Sequence, residues 1–196
     1  MQWDAHEQVE SPDIAFQDFS CVTQAHTLVH WEFQFEAQYR VEIEPGQLNI
    51  TLRVTNNDAN TMQFTGALHT YLAVDDIALT ELRGLDGLPE WDAVADVHAI
   101  APPSLHFDGE FDRVYHAGDN ALHMQDGSSL IQIEQSPSWA HTVVWNPGAE
   151  KSVELPDLPD DGFARMLCVE AAQVFETIYL EPQEQWEGWQ RLRVVG

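Results

Sequence analysis

The sequence is poor in basic residues. Eight Lys and Arg face 33 Asp and Glu among the 196 residues, which gives a formal net charge of -25. Nucleic acids and anionic membranes attract proteins through clustered basic side chains, so this balance argues against both as binding partners. The same charge keeps the protein soluble and opposes the approach of an anionic small molecule.

Cysteine is also scarce, and the sequence has no long hydrophobic run. Cys21 and Cys168 form no CxxC motif and have apolar neighbours, so we expect buried free thiols in a reducing compartment. No run approaches the ~18–20 apolar residues of a membrane span. The first ten residues, MQWDAHEQVE, contain neither a basic region nor an apolar core. We therefore expect no signal peptide and a cytoplasmic location.

Several signatures of catalysis and ligand binding are absent. The nine His residues form no HxH or HExxH motif. His26 and His30 are four apart but precede a predicted strand rather than lie on a helix, so no metal site is expected. There is no GxSxG nucleophile elbow and no phosphate-binding GxxxxGK loop. Covalent catalysis, nucleotide chemistry and a bound cofactor are therefore not expected.

The clearest structural signal is an alternation of apolar and polar residues. Over residues 31–44, aromatic and aliphatic residues alternate with Glu, Gln and Arg, which is typical of a half-buried strand. Pro45 and Gly46 predict a turn, and the alternation resumes over residues 48–54. The two segments predict an antiparallel hairpin.

Strand-like segments recur to the end of the chain, separated by connections rich in Gly, Pro and Asp. They comprise residues 64–74, 130–133, 142–145, 165–172, 177–180 and 191–195. Helical periodicity is absent over any useful length, and residues 91–100 are expected to hold a turn or two of helix at most. We therefore predict a single all-β domain over residues 1–196, a sandwich of large antiparallel sheets.

Three candidate acid–base residues lie in strand-like segments. Glu170 is set among the apolar residues of RMLCVEAAQV, where a carboxylate is costly unless it is paired or used. His69 lies in TGALHTYLAV, and Asp112 lies beside Arg113 in GEFDRVY. One interpretation is an edge strand whose Glu170 reaches water. The alternative is that the Glu, His and Asp converge as a base, an acid and an orienting group.

Aromatic residues beside polar groups indicate a possible sugar contact. Trp145 and Asn146 are adjacent, and such residues can stack on a sugar face and bond its hydroxyl groups. The alternative is that the tryptophans fill the core of the sandwich. We include Trp145 and Asn146, together with Asp112 and Arg113, as candidate substrate-binding residues.

Four segments, taken together in this order and spacing, resemble one family. They are FTGALHTYLAVDDIALTELRGL, FDGEFDRVY, VVWNP and RMLCVEAAQV. Their combination resembles the hexose-6-phosphate mutarotases, the glucose-6-phosphate 1-epimerase-like members of the aldose 1-epimerase superfamily. The resemblance covers about residues 31–195, with residues 1–30 as a divergent N-terminal segment. It implies a galactose-mutarotase-like β-supersandwich that is shortened at the N-terminus.

The resemblance also implies an activity and roles for residues. The activity is interconversion of the α and β anomers of a hexose or a hexose 6-phosphate by acid–base ring opening. In the family, the Glu of CVEA is the general base, the His of LHTY is the general acid and the Asp of DRVY helps to bind the sugar. By motif these roles fall on Glu170, His69 and Asp112. The resemblance implies neither a metal nor another cofactor.

The sequence departs from the family pattern in two places. The HGFAR-like motif of the family's N-terminal part supplies another His and arginines that hold the sugar phosphate, and the first ten residues, MQWDAHEQVE, contain no counterpart. Where the family often has an Asp two residues before VVW, this chain has His141. Weak or no preference for phosphorylated sugars is therefore expected. The alternative function is a non-catalytic β-sandwich that binds carbohydrate or another protein.

The N-terminal segment also bears on oligomeric state. Residues 3–30 contain enough apolar residues for about two strands, which we expect to cover the sheet only in part. Large apolar surfaces are usually covered in folded proteins. We therefore expect two chains to meet at the remaining open face as a symmetric homodimer, the commonest closed assembly.

Overall fold

Two antiparallel β-sheets make up most of the computed structural model, which describes residues 2–24 and 31–195. In chain order the strands are β1 (Asp4–Glu10), β2 (Ala15–Val22), β3 (Phe35–Glu44), β4 (Gln47–Asn56), β5 (Met62–Leu68), β6 (Tyr71–Ala73), β7 (Glu81–Arg83), β8 (Pro89–Asp92), β9 (Val97–Ile100), β10 (Phe111–Tyr115), β11 (Leu122–Asp126), β12 (Ser129–Gln135), β13 (His141–Asn146), β14 (Met166–Leu180) and β15 (Gln185–Val194). The helical elements are α1 (Gly148–Ser152) and two short 3-10 turns at Ile77–Leu79 and Gly162–Arg165. The predicted all-β sandwich is confirmed.

The two sheets enclose the core between them. The larger sheet has the strand order β1-β2-β3-β4-β15-β12-β11-β7, and the smaller has the order β5-β14-β13-β10-β8-β9, with β6 paired to β14. The main core cluster joins Met124 and Ile133 of the larger sheet to Val144, Leu167 and Val169 of the smaller. In the described part of the chain, no helix is long and apolar enough to cross a membrane.

The predicted hairpin is present as β3 and β4. The strands pair from Phe35 with Asn56 to Glu44 with Gln47, and Gly46 in the turn has a φ of 73°, a conformation that glycine adopts without strain. Alternation along β3 directs its apolar residues toward the smaller sheet. The first strand begins at Phe35 rather than at Trp31.

Elsewhere the strand boundaries differ from those predicted. Residues 165–172 and 177–180 belong to one continuous 15-residue strand, β14. Residues 64–74 are divided between β5 and β6 by a break at His69 and Thr70. Residues 91–100, expected to hold a turn or two of helix at most, lie mainly in an antiparallel hairpin of β8 and β9.

The N-terminal segment supplies two strands, as predicted. β2 pairs with β3 from Ala15 with Ile43 to Val22 with Glu36, and β1 pairs with β2 at the edge of the larger sheet. Trp3, Val22 and Ile43 remain exposed on these outer strands. The homodimer stays a prediction. His26 and His30 lie outside the described residues.

The packing around Gly188 leaves no room for a side chain. Gly188 lies in β15 against Trp186 and the fully buried Trp139. A Cβ atom at this position would lie 2.5 Å from Trp139 Nε1 and would also overlap the Trp186 ring. We expect Gly188→Ala to lower the free energy of unfolding by about 1–3 kcal/mol, because overpacking forces side chains out of their preferred rotamers. Chemical denaturation measures this change.

Gly66→Ala in β5 is the matched control. A Cβ atom at Gly66 would meet nothing within 4 Å, so this variant adds the same methyl group to a strand without overpacking. Equal destabilisation by the two substitutions would contradict the packing argument.

Candidate active site

Glu170 lies on the face of β14 that points away from the core. Side chains alternate along a strand, and Leu167, Val169 and Ala171 all belong to the core clusters. Glu170 therefore points to the opposite face of the smaller sheet, across from Val143 of β13. Only 3% of the Glu170 surface is exposed. The interpretation of an edge-strand carboxylate that reaches water is therefore wrong.

His69 is the direct partner of this carboxylate. It lies in the two-residue break between β5 and β6, and its Nδ1 atom is 2.9 Å from Glu170 Oε1. The two side chains differ sharply in accessibility, because 69% of the His69 side chain is exposed and 4% of the Glu170 side chain is exposed. A buried proton acceptor thus contacts an imidazole that remains open to a ligand.

Thr70 holds His69 in this position. The Thr70 carbonyl accepts a 3.2 Å hydrogen bond from the Val169 amide, beside Glu170. The Thr70 hydroxyl donates to Gln190 Oε1 at 2.5 Å, and Gln190 Nε2 donates to the Val169 carbonyl at 2.9 Å. Gln190 is fully buried in β15 of the opposite sheet, so the break that carries His69 is anchored through the core.

A cleft of about 210 Å³ lies at this pair. It is lined by His69, Tyr71, Asp112, Val143, Trp145 and Glu170. Asp112 of β10 lies opposite Trp145 of β13, which in turn lies opposite Cys168 of β14, so three adjacent strands contribute to one surface. The cleft is smaller than the ~300–1,000 Å³ typical of sites for drug-sized ligands, which suits a single sugar ring.

The electrostatics of the cleft favour proton exchange at Glu170. Burial, and then the neighbouring charge of Asp112, raise the pKa of Glu170 to about 7. Burial also raises the pKa of Asp112, although Lys151 opposes this effect. A carboxyl group with a pKa near neutrality can both accept and return a proton at physiological pH.

Tyr71 belongs to the cleft but was not among the predicted site residues. It lies opposite Cys168 on the same sheet face as Glu170, and 58% of its surface is exposed. Its ring meets Trp145 edge to face, with centroids 6.2 Å apart. The available signal was its spacing, because Tyr71 follows His69 by two residues. The neighbouring Cys168 is fully buried, and burial raises the pKa of its thiol to about 12, so it is unsuited to act as a nucleophile.

Arg113 is not part of the cleft, contrary to the prediction from its position beside Asp112. Neighbours on a strand point to opposite faces, so Arg113 turns to the core side with Val144. Its guanidinium lies 2.6 Å from an Asp92 oxygen and 3.5 Å from a Glu90 oxygen. These ion pairs link β10 to β8, so Arg113 stabilises the fold and does not contact the cleft.

Asn146 is likewise turned away from the cleft. It is 1% exposed, and its amide nitrogen donates to the backbone carbonyls of Phe163 and Met166 at 2.8 Å each. Its carbonyl oxygen accepts a hydrogen bond from the Gly148 amide. Asn146 therefore closes the end of β13, whereas the adjacent Trp145 lines the cleft.

A larger cavity of about 690 Å³ lies along strands of the larger sheet, away from these residues. Its two arginines form ion pairs, Arg40 with Asp18 and Arg53 with Glu187. Most of the side chains that line this cavity are polar, and they form a solvated surface on neighbouring strands of the larger sheet. Among the described residues, no group of three or more His, Cys, Asp or Glu side chains has an arrangement that could hold a metal ion.

Comparison with known proteins relates the chain to a family of sugar epimerases. A family model described as aldose 1-epimerase matches residues 1–193. A protein from Cenchrus ciliaris named "Putative glucose-6-phosphate 1-epimerase" is 32% identical over 183 residues, which cover 89% of this chain and 55% of that protein. The chain thus spans about half the length of this curated relative.

Solved structures show the same fold. The crystal structure of a "putative mutarotase" from Salmonella typhimurium superposes with a TM-score of 0.88 at 24% identity, covering 98% of this chain and 64% of the other. A galactose mutarotase-like protein from Clostridium acetobutylicum gives a TM-score of 0.75 at 14% identity, covering 100% of this chain and 67% of the other. The predicted galactose-mutarotase-like fold is confirmed. Given the match over residues 1–193, the chain belongs to the aldose 1-epimerase family.

Proposed function

We propose that the chain interconverts the α and β anomers of a hexose, with Glu170 as general base and His69 as general acid. The observation that carries this proposal is the 2.9 Å contact between His69 Nδ1 and Glu170 Oε1 in a cleft, with the base buried and the imidazole accessible. A base and an acid on one small cleft are the groups that opening a pyranose ring requires.

The proposed reaction uses each group once in each direction. Glu170 removes the proton of the anomeric hydroxyl while protonated His69 gives a proton to the ring oxygen, and the C1–O5 bond breaks. The C1–C2 bond of the open aldehyde then rotates. When the 5-hydroxyl attacks the other face of the carbonyl, His69 takes back the hydroxyl proton and Glu170 returns its proton to the carbonyl oxygen. Both side chains regain their starting protonation states.

We propose a neutral hexose as the preferred substrate. The residues that line the cleft include two carboxyl groups, from Glu170 and Asp112, and no Lys or Arg. The paired rings of Tyr71 and Trp145 offer apolar faces against which a sugar ring can pack, and Asp112 can accept hydrogen bonds from its hydroxyl groups.

Glu170→Gln tests the general base. We expect anomer exchange, measured by NMR on glucose and galactose, to fall by about 10²–10⁴-fold, because the amide cannot accept the proton. His69→Asn should lower the rate similarly by removing the acid. A Gln variant that keeps most of the wild-type rate would contradict the assignment. A wild type that binds these sugars without exchanging their anomers would favour the non-catalytic alternative.

Loss of activity by unfolding can be separated from loss of the base. The pKa of Glu170 rises from its ordinary 4.5 to about 7 on folding, so the folded state binds the proton more tightly. The resulting stabilisation is present below pH 4.5 and is lost as the pH rises through about 7. Above that pH we expect Glu170→Gln to be more stable than the wild type by about 1–3 kcal/mol in thermal or chemical unfolding.

The pH dependence of the wild-type rate provides another test. On the acidic limb of the pH profile, we expect kcat/KM to rise with pH with a midpoint at about 7, as Glu170 ionises. The other groups that face Glu170 are His69, Asp112, Tyr71 and Cys168, and burial raises the pKa values of Tyr71 and Cys168 further above neutrality. A rate that does not change over this interval would contradict the role of Glu170.

Phosphate recognition can be tested by comparing glucose with glucose 6-phosphate. We expect equal or weaker binding of the phosphate ester in calorimetric titrations, because the cleft presents carboxylates rather than arginines and the chain carries a net charge of -25. Clearly tighter binding of the ester at low salt, with the preference lost at moderate salt, would overturn this expectation.

A further inference from the structure

A cluster of aromatic and imidazole rings lies beside the cleft. It consists of Trp91, His116, His141 and Phe175, which we call the aromatic wall. Phe175 stacks on His116 with centroids 5.6 Å apart and meets His141 edge to face at 5.0 Å. Trp91 lies 5.6 Å from Phe175, and His116 lies 4.6 Å from His141. Phe175 is 46% exposed, so the wall presents an open ring face.

A β-bulge places Phe175 in this wall. β14 pairs with β5 up to Gln173 with Gly66 and resumes at Ile178 with Phe64, so residues 174–177 lie opposite Thr65 alone. Regular alternation would put Phe175, five positions after Glu170, on the opposite face of the strand. The bulge turns the ring back onto the face of Glu170. Bulges commonly re-aim a side chain in this way next to active sites.

The wall lies about one sugar ring away from the catalytic pair. Val143 lines the cleft and pairs with Glu170, and His141 precedes Val143 by two positions on the same face of β13. Two residues of strand span about 7 Å. On β10, Val114 lies opposite both Val143 and Trp91, so the sheet surface is continuous between the cleft and the wall.

His141 packs inside the wall with one buried ring nitrogen that has no hydrogen-bond partner among the described residues. It is fully buried, and its Nδ1 atom accepts a 3.3 Å hydrogen bond from the Val174 amide within the bulge. The proton of the neutral ring therefore resides on Nε2, which has no hydrogen-bond partner among the described residues. Burial, and then the neighbouring His116, lower the pKa of His141, which keeps the ring neutral at pH 7.

We propose that the aromatic wall is a second saccharide subsite, which binds the neighbouring ring of a reducing disaccharide while the reducing hexose occupies the cleft. The proposal rests on the proposed function in one respect, the assignment of the reducing ring to the cleft and of the neighbouring ring to the wall. The exposed Phe175 ring offers an apolar surface against which the apolar face of a sugar ring can pack. Neither this wall nor the cleft contributes a Lys or Arg, and the chain carries a net charge of -25, so a neutral ligand fits better than an anion.

Binding of methyl glycosides tests the subsite independently of catalysis. These ligands lack a free anomeric hydroxyl, so they report binding even from a protein that exchanges no anomers. Titrations of the wild type with methyl glucoside, methyl maltoside and methyl isomaltoside compare one sugar ring with 4-linked and 6-linked disaccharides. We expect at least one disaccharide to bind about tenfold more tightly than methyl glucoside, as expected for one additional aromatic contact.

Variants of Phe175 test whether the aromatic wall causes the tighter binding of a disaccharide. Phe175→Ala should bring the ratio of disaccharide to monosaccharide affinity close to one, and Phe175→Trp should retain it. Tyr179→Ala is the matched control, because Tyr179 is an exposed aromatic residue of the same strand that lies outside the wall. Wild-type affinities that are no higher for either disaccharide would overturn the proposal. A disaccharide preference that survives Phe175→Ala would overturn it as well.

Discussion

The alternation of side chains along β14 is the constraint on which the rest of the structure depends. One face of this strand supplies Leu167, Val169 and Ala171 to the core, and the other supplies Glu170 to the cleft. Because the two sets share one backbone, the packing that stabilises the sandwich also fixes the position of the carboxylate. Burial of that carboxylate raises its pKa, so its ionised form is costly to the fold and the group can exchange a proton near neutral pH.

His69 is positioned in a different way. His69 lies in a break between strands, where backbone geometry is less constrained than in a ladder, yet its neighbour Thr70 is bonded to Gln190 and Val169 in the interior. An exposed side chain thus extends from a buried anchor. This combination gives the imidazole access to a ligand while limiting the range of positions that it can adopt relative to Glu170.

Part of this organisation could be predicted from the sequence. The period-two alternation of residues 31–54 predicted β3 and β4, and the isolated carboxylate in an apolar segment identified Glu170. Convergence of Glu170 with His69 and Asp112 depends on pairing between distant strands, which the resemblance to a family supplied and local patterns alone did not. The hairpin of β8 and β9 was missed because each strand has only four residues, too few to show a clear period-two alternation.

Adjacency in sequence to a cleft residue did not predict which side chains line the cleft. Arg113 and Asn146 are neighbours of cleft residues, but the pleat sends each of them to the other face of the sheet, where they support the fold. Tyr71 follows His69 by two positions and shares its surface. Phe175 could not be placed by counting from Glu170, because the bulge between them changes the parity of the strand.

That bulge also divides β14 into two halves that can vary separately. Upstream of residue 174, regular pairing with β13 and β5 fixes the register of Glu170. Downstream of it, the extra residues belong to no ladder with β5, so an insertion, a deletion or an exchange there alters the surface beside the cleft without moving the carboxylate. The ladder that fixes the carboxylate and the irregular segment that shapes the surface beside the cleft are thus separate parts of one strand.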